Sequence, residues 1–491
     1  MMLISSEKLL IIYDDRETTK GDVCSLVGQR RFGDITFKRR LLVDHFRAAL
    51  PAWASEGLVH LRSVDDIPAL RSRIETSGED TAACVIASRA GFMDFEHLTQ
   101  LIERLPYAEE DFTDHLYKPL LVFLRSAHSL VEQWPKFAAA PIHTWEQAWQ
   151  GKQRVHSVEP LDLGKIRAFL SFTCGSTATR HFNEIKIDSY YYTKRSSDKR
   201  KMLAEYSFYG LVPESMRPWL IQPFEYKDEG ECASYKMLRY YLADASLQWV
   251  HGSFERDTFA TFIERLLFFI SERPKQTCSK EQSAAIARDL FVKKLEARVG
   301  QLLAMPEGQR LNQLATSVSP ELDIKVQLKR YLALYKKHEK GFAFDHLAVG
   351  HGDPCFSNIL YDQGRYLLKL IDPKGVVVEQ DLWTHPLYDL CKISHSVLGD
   401  YDFINNGLYS VRFSDTNDLV LDFTHTNHAA LKSLFLQRIK TYRYDSHIMR
   451  LGEASLFLSM LPLHIDYPNK VIAFMLKARQ ILDEVEREKH N

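Results

Sequence analysis

Neither sign of charge dominates this chain: 63 Lys and Arg stand against 64 Asp and Glu, for a net charge of −1. Without a global field, nucleic acid and anionic membranes are not expected partners. Cysteine is sparse, with seven residues in 491: Cys24, Cys84, Cys174, Cys232, Cys278, Cys355 and Cys391. The number is odd and no Cys-x-x-Cys pair occurs, which excludes a disulfide framework and supplies no zinc ligand set. A reducing cytoplasm is the expected setting. No apolar run approaches the ~20 residues a membrane helix needs, so membrane insertion is not expected. Repeats and low-complexity segments are missing too. The opening stretch MMLISSEKLLIIYDDRE has no basic leader and no cleavage site, and it is expected to supply a first strand.

What remains is an ordinary globular composition, 45% apolar and 26% charged, in a chain long enough for two to four domains. One stretch carries a chemical pattern: residues 345–375, DHLAVGHGDPCFSNILYDQGRYLLKLIDPKG. Its polar residues are His351, Gly352 and Asp353, then Asn358 five positions later, then Asp372 fourteen beyond that. Residues 359–361 are predicted to leave the loop as a strand, 362–365 to turn, and 366–371 to return. Such a hairpin puts Asn358 and Asp372 at adjacent strand ends, with Asp353 in the loop before them. Phosphoryl transfer asks for such a set. One carboxylate orients or deprotonates the attacking hydroxyl, and oxygen ligands hold Mg²⁺ against the phosphates of ATP.

Protein kinases use His-Arg-Asp-x-x-x-x-Asn and a later Asp-Phe-Gly for these tasks. Here Gly follows the His, and the second Asp lies in Ile-Asp-Pro-Lys-Gly. Both features resemble the aminoglycoside-phosphotransferase and choline-kinase group, kinase-like enzymes that phosphorylate small molecules. The wording HGDPCFSNIL…LIDPKG is similar to a bacterial branch of that group found among capsule and surface-polysaccharide biosynthesis proteins. The resemblance spans about residues 166–485 and is specific in the catalytic stretch. It implies an α+β architecture: a protein-kinase-like bilobal phosphotransferase domain over 156–491, with a small lobe at about 160–242 and a large lobe at about 243–491. It implies ATP and Mg²⁺ as cofactors and a small-molecule acceptor, a sugar or an amino-alcohol. Asp353 is then the catalytic carboxylate, Asn358 and Asp372 are metal ligands, and His351 braces the loop. Asp389, in Tyr-Asp-Leu-Cys-Lys, matches the family's Asp that packs beneath the catalytic loop. His395, Asp400 and Asp402 fall where the family receives its acceptor.

The small lobe is expected to begin with a strand over 166–173 and a turn at Gly175, Ser176 and Thr177, whose N–H groups and hydroxyls suit phosphates. A returning strand follows over 182–187. Kinases anchor the α- and β-phosphates with a strand Lys paired to a helix Glu. Lys194 and Glu205 stand in that order. Lys186 and Arg195 compete with Lys194, but alternation puts Lys194 on the face of Tyr190 and Tyr192, with Arg195 opposite. An exposed strand lysine is the alternative for Lys194. By resemblance, adenine lies against the backbone near Met237. Residues 245–340 carry apolar positions at three- and four-residue spacing and are predicted to be mostly helical, as are 456–463 and 471–482.

Residues 1–155 alternate apolar strands with helical patterns, which predicts a smaller α/β, Rossmann-like domain on a parallel sheet. Asp14 and Asp15 end its first strand, as metal or ribose ligands or simply as a polar strand end. No glycine-rich phosphate loop follows Tyr13. The resemblance to the polysaccharide branch, in which a sugar-nucleotidyltransferase-like domain often neighbours such a kinase, then implies at most a degenerate relative of that domain, kept for scaffolding or substrate delivery. Two rival functions stand beside the kinase: a catalytically inactive nucleotide-binding scaffold, and a bifunctional protein with a nucleotide-sugar transferase at its N-terminus.

Overall fold

The computed structural model describes residues 9–78, 80–145, 153–154, 160–173, 183–415, 418–423 and 428–487. The chain divides into two compact units, 1–176 and 177–491.

The first unit is built on strand β1 (Leu9–Asp14), helix α1 (Leu42–Ala49), strand β2 (Leu58–Leu61), helix α2 (Ile67–Glu75), strand β3 (Ala82–Ala87) and helix α3 (Phe95–Arg104). Strand β1 lies between β2 and β3 and runs parallel to both. Parallel neighbours need long crossovers, which the helices supply. Every residue of β1 and β3 is buried, which is why both read as continuous apolar runs. The sheet is not wholly parallel, however. Strands β4 (Phe112–Thr113) and β5 (Leu121–Leu124) extend it on the β3 side, and β5 runs antiparallel to both β3 and β4. The expectation of a parallel sheet is thus corrected to a mixed one. Apolarity could not reveal this, because strand direction leaves no mark on hydropathy.

Residues 166–173, expected as a strand, form helix α4 (Ile166–Thr173) within this first unit. Its buried positions Phe169, Leu170, Phe172 and Thr173 are compatible with either periodicity in so short a run. The phosphate-loop residues Gly175, Ser176 and Thr177 lie outside the described residues.

The second unit begins with a four-stranded antiparallel sheet. Its members are β6 (Asn183–Ile187), β7 (Tyr191–Ser196), β8 (Pro223–Glu229) and β9 (Cys232–Leu238), in the order β6-β7-β9-β8. Helix α5 (Lys199–Leu211) follows β7 and is capped by Asp198, whose side chain accepts from the Lys201 N–H at 3.0 Å. Its buried residues are Met202, Glu205 and Phe208, at three-residue spacing along one face. Glu205 is therefore carried inward on an otherwise apolar stripe.

The remainder is largely helical. Helix α6 (Arg256–Glu272) buries Phe259, Phe262, Leu266 and Phe269. The helix expected over 280–304 is two, Lys280–Arg288 and Lys294–Ala304, joined by a π-helical turn at 289–293. Helix α7 (Ile324–His338) precedes strand β10 (His346–Val349), and the hairpin of β11 (Ile359–Asp362) and β12 (Leu367–Leu370) comes next. Helices α8 (Tyr388–Val397), α9 (Ser446–Met460) and α10 (Pro468–Arg487) share one hydrophobic core with α6, α7 and the hairpin.

Candidate active site

Strand β10 delivers the chain into the His351-Gly352-Asp353 loop, and β11 carries it away. In the hairpin, Ile359 pairs with Leu370 and Tyr361 with Leu368. Asn358 and Asp372 therefore flank neighbouring strand ends, and the Ile371 N–H donates to the Asn358 carbonyl at 3.0 Å. The Asn358 side-chain amide donates to the Asp353 carbonyl at 2.9 Å. That bond ties the two ends of the loop and commits the amide nitrogen, leaving the carbonyl oxygen as the end available to a cation.

The loop backbone is held from below. Asp389 on α8 accepts from the His351 N–H and the Gly352 N–H, both at 2.8 Å. Arg273 forms a 2.6 Å ion pair with the same carboxylate and donates to the Pro386 carbonyl at 2.8 Å. Both side chains are buried, so the pair is shielded from solvent screening. The Ser396 hydroxyl accepts from the Phe356 N–H at 3.0 Å. Gly352 has φ +86°, and a Cβ there would meet the Lys374 Cβ at 2.6 Å, so no other residue fits without strain. Burial holds the His351 imidazole below its ordinary pKa, and its Nδ1 accepts from the Asp353 N–H at 3.3 Å. A neutral, buried imidazole suits a bracing role.

Three cations were candidates for the phosphate anchor. Lys186 and Arg195 are exposed, and Arg195 sits among Glu184 and Glu229. Lys194 is 2% exposed, with its Nζ 2.7 Å from Glu205 Oε2 and 3.1 Å from Asp372 Oδ1. Burial alone would lower its pKa, but Asp372 and Glu205 more than offset that and raise it. Glu205 Oε2 also accepts from the Tyr235 hydroxyl at 2.8 Å, and Lys201 lies 3.5 Å from Oε1. Asp372 keeps a third of its side chain exposed and adopts φ +54°, an uncommon conformation for a residue with a Cβ. Met237 is buried within β9, paired with Tyr192 and Pro223, and lines a cavity with Glu205, Tyr235, Leu370, Ile371 and Asp372.

The segment after Asp372 joins both halves of the site. The Lys374 N–H donates to the His351 carbonyl at 2.9 Å, and the Val376 N–H to the Ala204 carbonyl at 3.2 Å. The His351-Gly352-Asp353 loop, the segment after Asp372 and the helix bearing Glu205 are thus connected through main chain.

The residues expected on the acceptor side are interior groups. His395 is stacked on Tyr401 with ring centroids 4.3 Å apart and packs edge-on to Phe457. Asp400 pairs with Lys432 and Lys477, which offset its burial and hold its carboxyl below the ordinary range. Asp402 is fully buried beside Ser396 and Ser246, and burial pushes its pKa up to about 7. None offers a surface contact to an acceptor in this structure.

Three residues of the site were not anticipated. Tyr235 faces Lys194 across the β7–β9 ladder, a relation only register reveals. Arg273 is far from Asp389 in sequence and carries no local signal. Lys392, 3.0 Å from Asp353 Oδ1, lies three residues beyond Asp389 on α8, a helical spacing that was legible.

No protein-family model matches the chain. No curated protein matches it. Among solved structures it is similar to a thermostable mutant of aminoglycoside phosphotransferase APH(4)-Ia in apo form, at 10% identity and a TM-score of 0.37, covering 64% of this chain and 94% of that one. A ternary complex of that enzyme with AMP-PNP and hygromycin B gives 11% identity, a TM-score of 0.39 and coverage of 64% and 93%. One with ADP and hygromycin B gives 10%, 0.38, 65% and 98%. This likeness is too loose to carry residues or substrates from one chain to the other.

Proposed function

We propose that residues 177–491 form an ATP- and Mg²⁺-dependent phosphotransferase that moves a γ-phosphoryl group to a hydroxyl of a small molecule. The observation that supports this best is the buried Lys194 ammonium held between Glu205 and Asp372. A buried cation of this kind neutralises phosphate charge without solvent reorganisation.

Mg²⁺ takes oxygen ligands and usually pairs one or two protein groups with substrate phosphates. The part-exposed Asp372 carboxylate and the free end of the Asn358 amide fit that pattern. Among the described residues there is no cluster of three or more His, Cys, Asp or Glu able to hold an ion unaided. The donor set therefore suits a metal that arrives with the nucleotide. When bound, the ion would neutralise the β- and γ-oxygens. Lys194 binds the phosphates, Glu205 steadies Lys194, and Asp389 fixes the loop that presents Asp353. Asp353 orients the acceptor hydroxyl and takes up its proton.

The acceptor in this reading is a sugar or an amino-alcohol, and the pathway surface-polysaccharide assembly. Support for both comes from the wording of the catalytic stretch. The first unit is read as a non-catalytic companion. Asp14 is buried and paired with Arg16 at 2.7 Å, and Asp15 is buried, accepts from the Gly33 N–H at 3.0 Å and lies 3.2 Å from His60, so both carboxylates have partners within the fold.

A screen of sugars and amino-alcohols for ATP consumption tests the proposal. Asp353→Ala should abolish turnover on any acceptor found while sparing nucleotide binding. Full ATP-dependent turnover by that variant would refute the assignment.

A further inference from the structure

Asp353 is held at its side chain as well as through its backbone. Lys392 Nζ lies 3.0 Å from Asp353 Oδ1, and the two side chains are 13% and 41% exposed. Oδ1 itself is buried, and its contact with Lys392 is an ion pair rather than a hydrogen bond of good geometry. The exposed part of the carboxylate therefore excludes Oδ1 and leaves Oδ2 as the oxygen a substrate can reach. Lys392 sits one helical turn beyond Asp389 on α8. One face of one helix thus grips the catalytic loop twice: Asp389 takes two loop N–H groups, and Lys392 takes the catalytic carboxylate.

Stability is a weak reason for such a pair. Desolvating two charges costs about as much as their attraction returns, and apolar replacements are often as stable. Orientation is a stronger reason, because a carboxylate free to rotate presents its oxygens in many directions and loses near-attack geometry.

We propose that Lys392 is a positioning residue for phosphoryl transfer, pinning one oxygen of Asp353 so that the other alone receives the acceptor hydroxyl. This rests on the reading of residues 177–491 as a phosphotransferase. In the step, the acceptor oxygen bonds to the γ-phosphorus and the bond from that phosphorus to the β,γ-bridging oxygen breaks. The bond's electron pair leaves with ADP, and the hydroxyl proton passes to Asp353 Oδ2 and on to solvent.

The test uses the full chain with radiolabelled ATP and Mg²⁺. Acceptors are the sugars and amino-alcohols that support turnover, and water for the slow hydrolysis. A fluorescent ATP analogue reports nucleotide binding. Lys392→Met should lower kcat about 100-fold while KM for ATP and analogue affinity stay unchanged. Lys392→Arg, which keeps a cation on Oδ1, should recover kcat to within about tenfold of the parent. If Lys392→Met does not fold, Lys392→Gln keeps a donor and should fall between the other two. A folded Lys392→Met or Lys392→Gln with parental kcat, or a loss shared equally by kcat and nucleotide affinity, overturns the proposal. Asp353→Asn separates the two levels of the argument. If it abolishes turnover while Lys392→Met does not, only the role of Lys392 falls. If the parent itself neither binds the analogue nor transfers phosphate, the phosphotransferase reading and this proposal fall together.

Discussion

Lys194 stands between two carboxylates, 2.7 Å from Glu205 and 3.1 Å from Asp372, and so joins a strand, a helix and the end of a hairpin at one buried ammonium. The two acids arrive by independent routes, Glu205 on the apolar stripe of α5 and Asp372 just past β12. Their convergence on one side chain gives the following expectations.

Lys194→Met should leave Glu205 and Asp372 without their shared cation. A reduction in kcat/KM for ATP of about 100-fold is expected, in line with loss of one preorganised phosphate donor. Steady-state kinetics with varied ATP check it, and a loss smaller than about threefold would contradict the role.

Asp372→Asn should weaken nucleotide binding in the presence of Mg²⁺ far more than in its absence. Calorimetric titration of ATP with Mg²⁺ or with a chelator gives both numbers. Equal weakening in the two conditions would remove Asp372 from the metal site.

Gly375→Ala tests the main-chain link between the segment after Asp372 and α5. Gly375 has φ +71°, and a Cβ there would lie 2.4 Å from the Ala204 carbonyl carbon and 2.5 Å from the Glu205 nitrogen. Backbone cannot yield as a flexible side chain does, so a stability loss of about 1–3 kcal/mol is expected. Urea melts measure that loss, and turnover should fall beyond it because the helix bearing Glu205 must shift.

Asp402 should make stability depend on pH. Its folded pKa is about 7 against an ordinary 3.8, so between those values the folded chain holds a proton that the unfolded chain releases. The stability this gives is complete below about pH 4 and is lost as pH rises through 7, at up to about 1.4 kcal/mol per pH unit. Asp402→Asn should flatten that slope. A variant whose melts keep the parental slope from pH 4 to 7 would show that Asp402 titrates normally.

The placement of Asn358 and Asp372 at neighbouring strand ends, with Asp353 in the loop before them, was legible because the pattern sits in one short stretch. Loop, strand, turn and strand follow from local propensities, and a hairpin fixes which residues end up side by side. The face of Lys194 was legible from alternation along its strand, whereas Glu205 followed only from the order of a strand Lys and a helix Glu. Lys392 followed helical spacing from Asp389, but its partner lies in another element, so the spacing alone did not reveal its use. The reading of 166–173 failed because eight residues satisfy a strand and a helix equally well.

Sequence alone determined the local geometry: the hairpin that sets Asn358 beside Asp372, and the face of β7 on which Lys194 lies. These depend on backbone sterics and side-chain period within a few residues. Tertiary structure alone decided which charges meet. It brought Arg273 to Asp389, Tyr235 to Glu205 and Lys392 to Asp353, and it turned His395 and Asp400 into interior groups. Such pairings depend on helix packing and sheet register over separations of 30 to 116 residues for the first two. Over those distances the chain's own stiffness conveys nothing, and only the burial of apolar surface selects the arrangement.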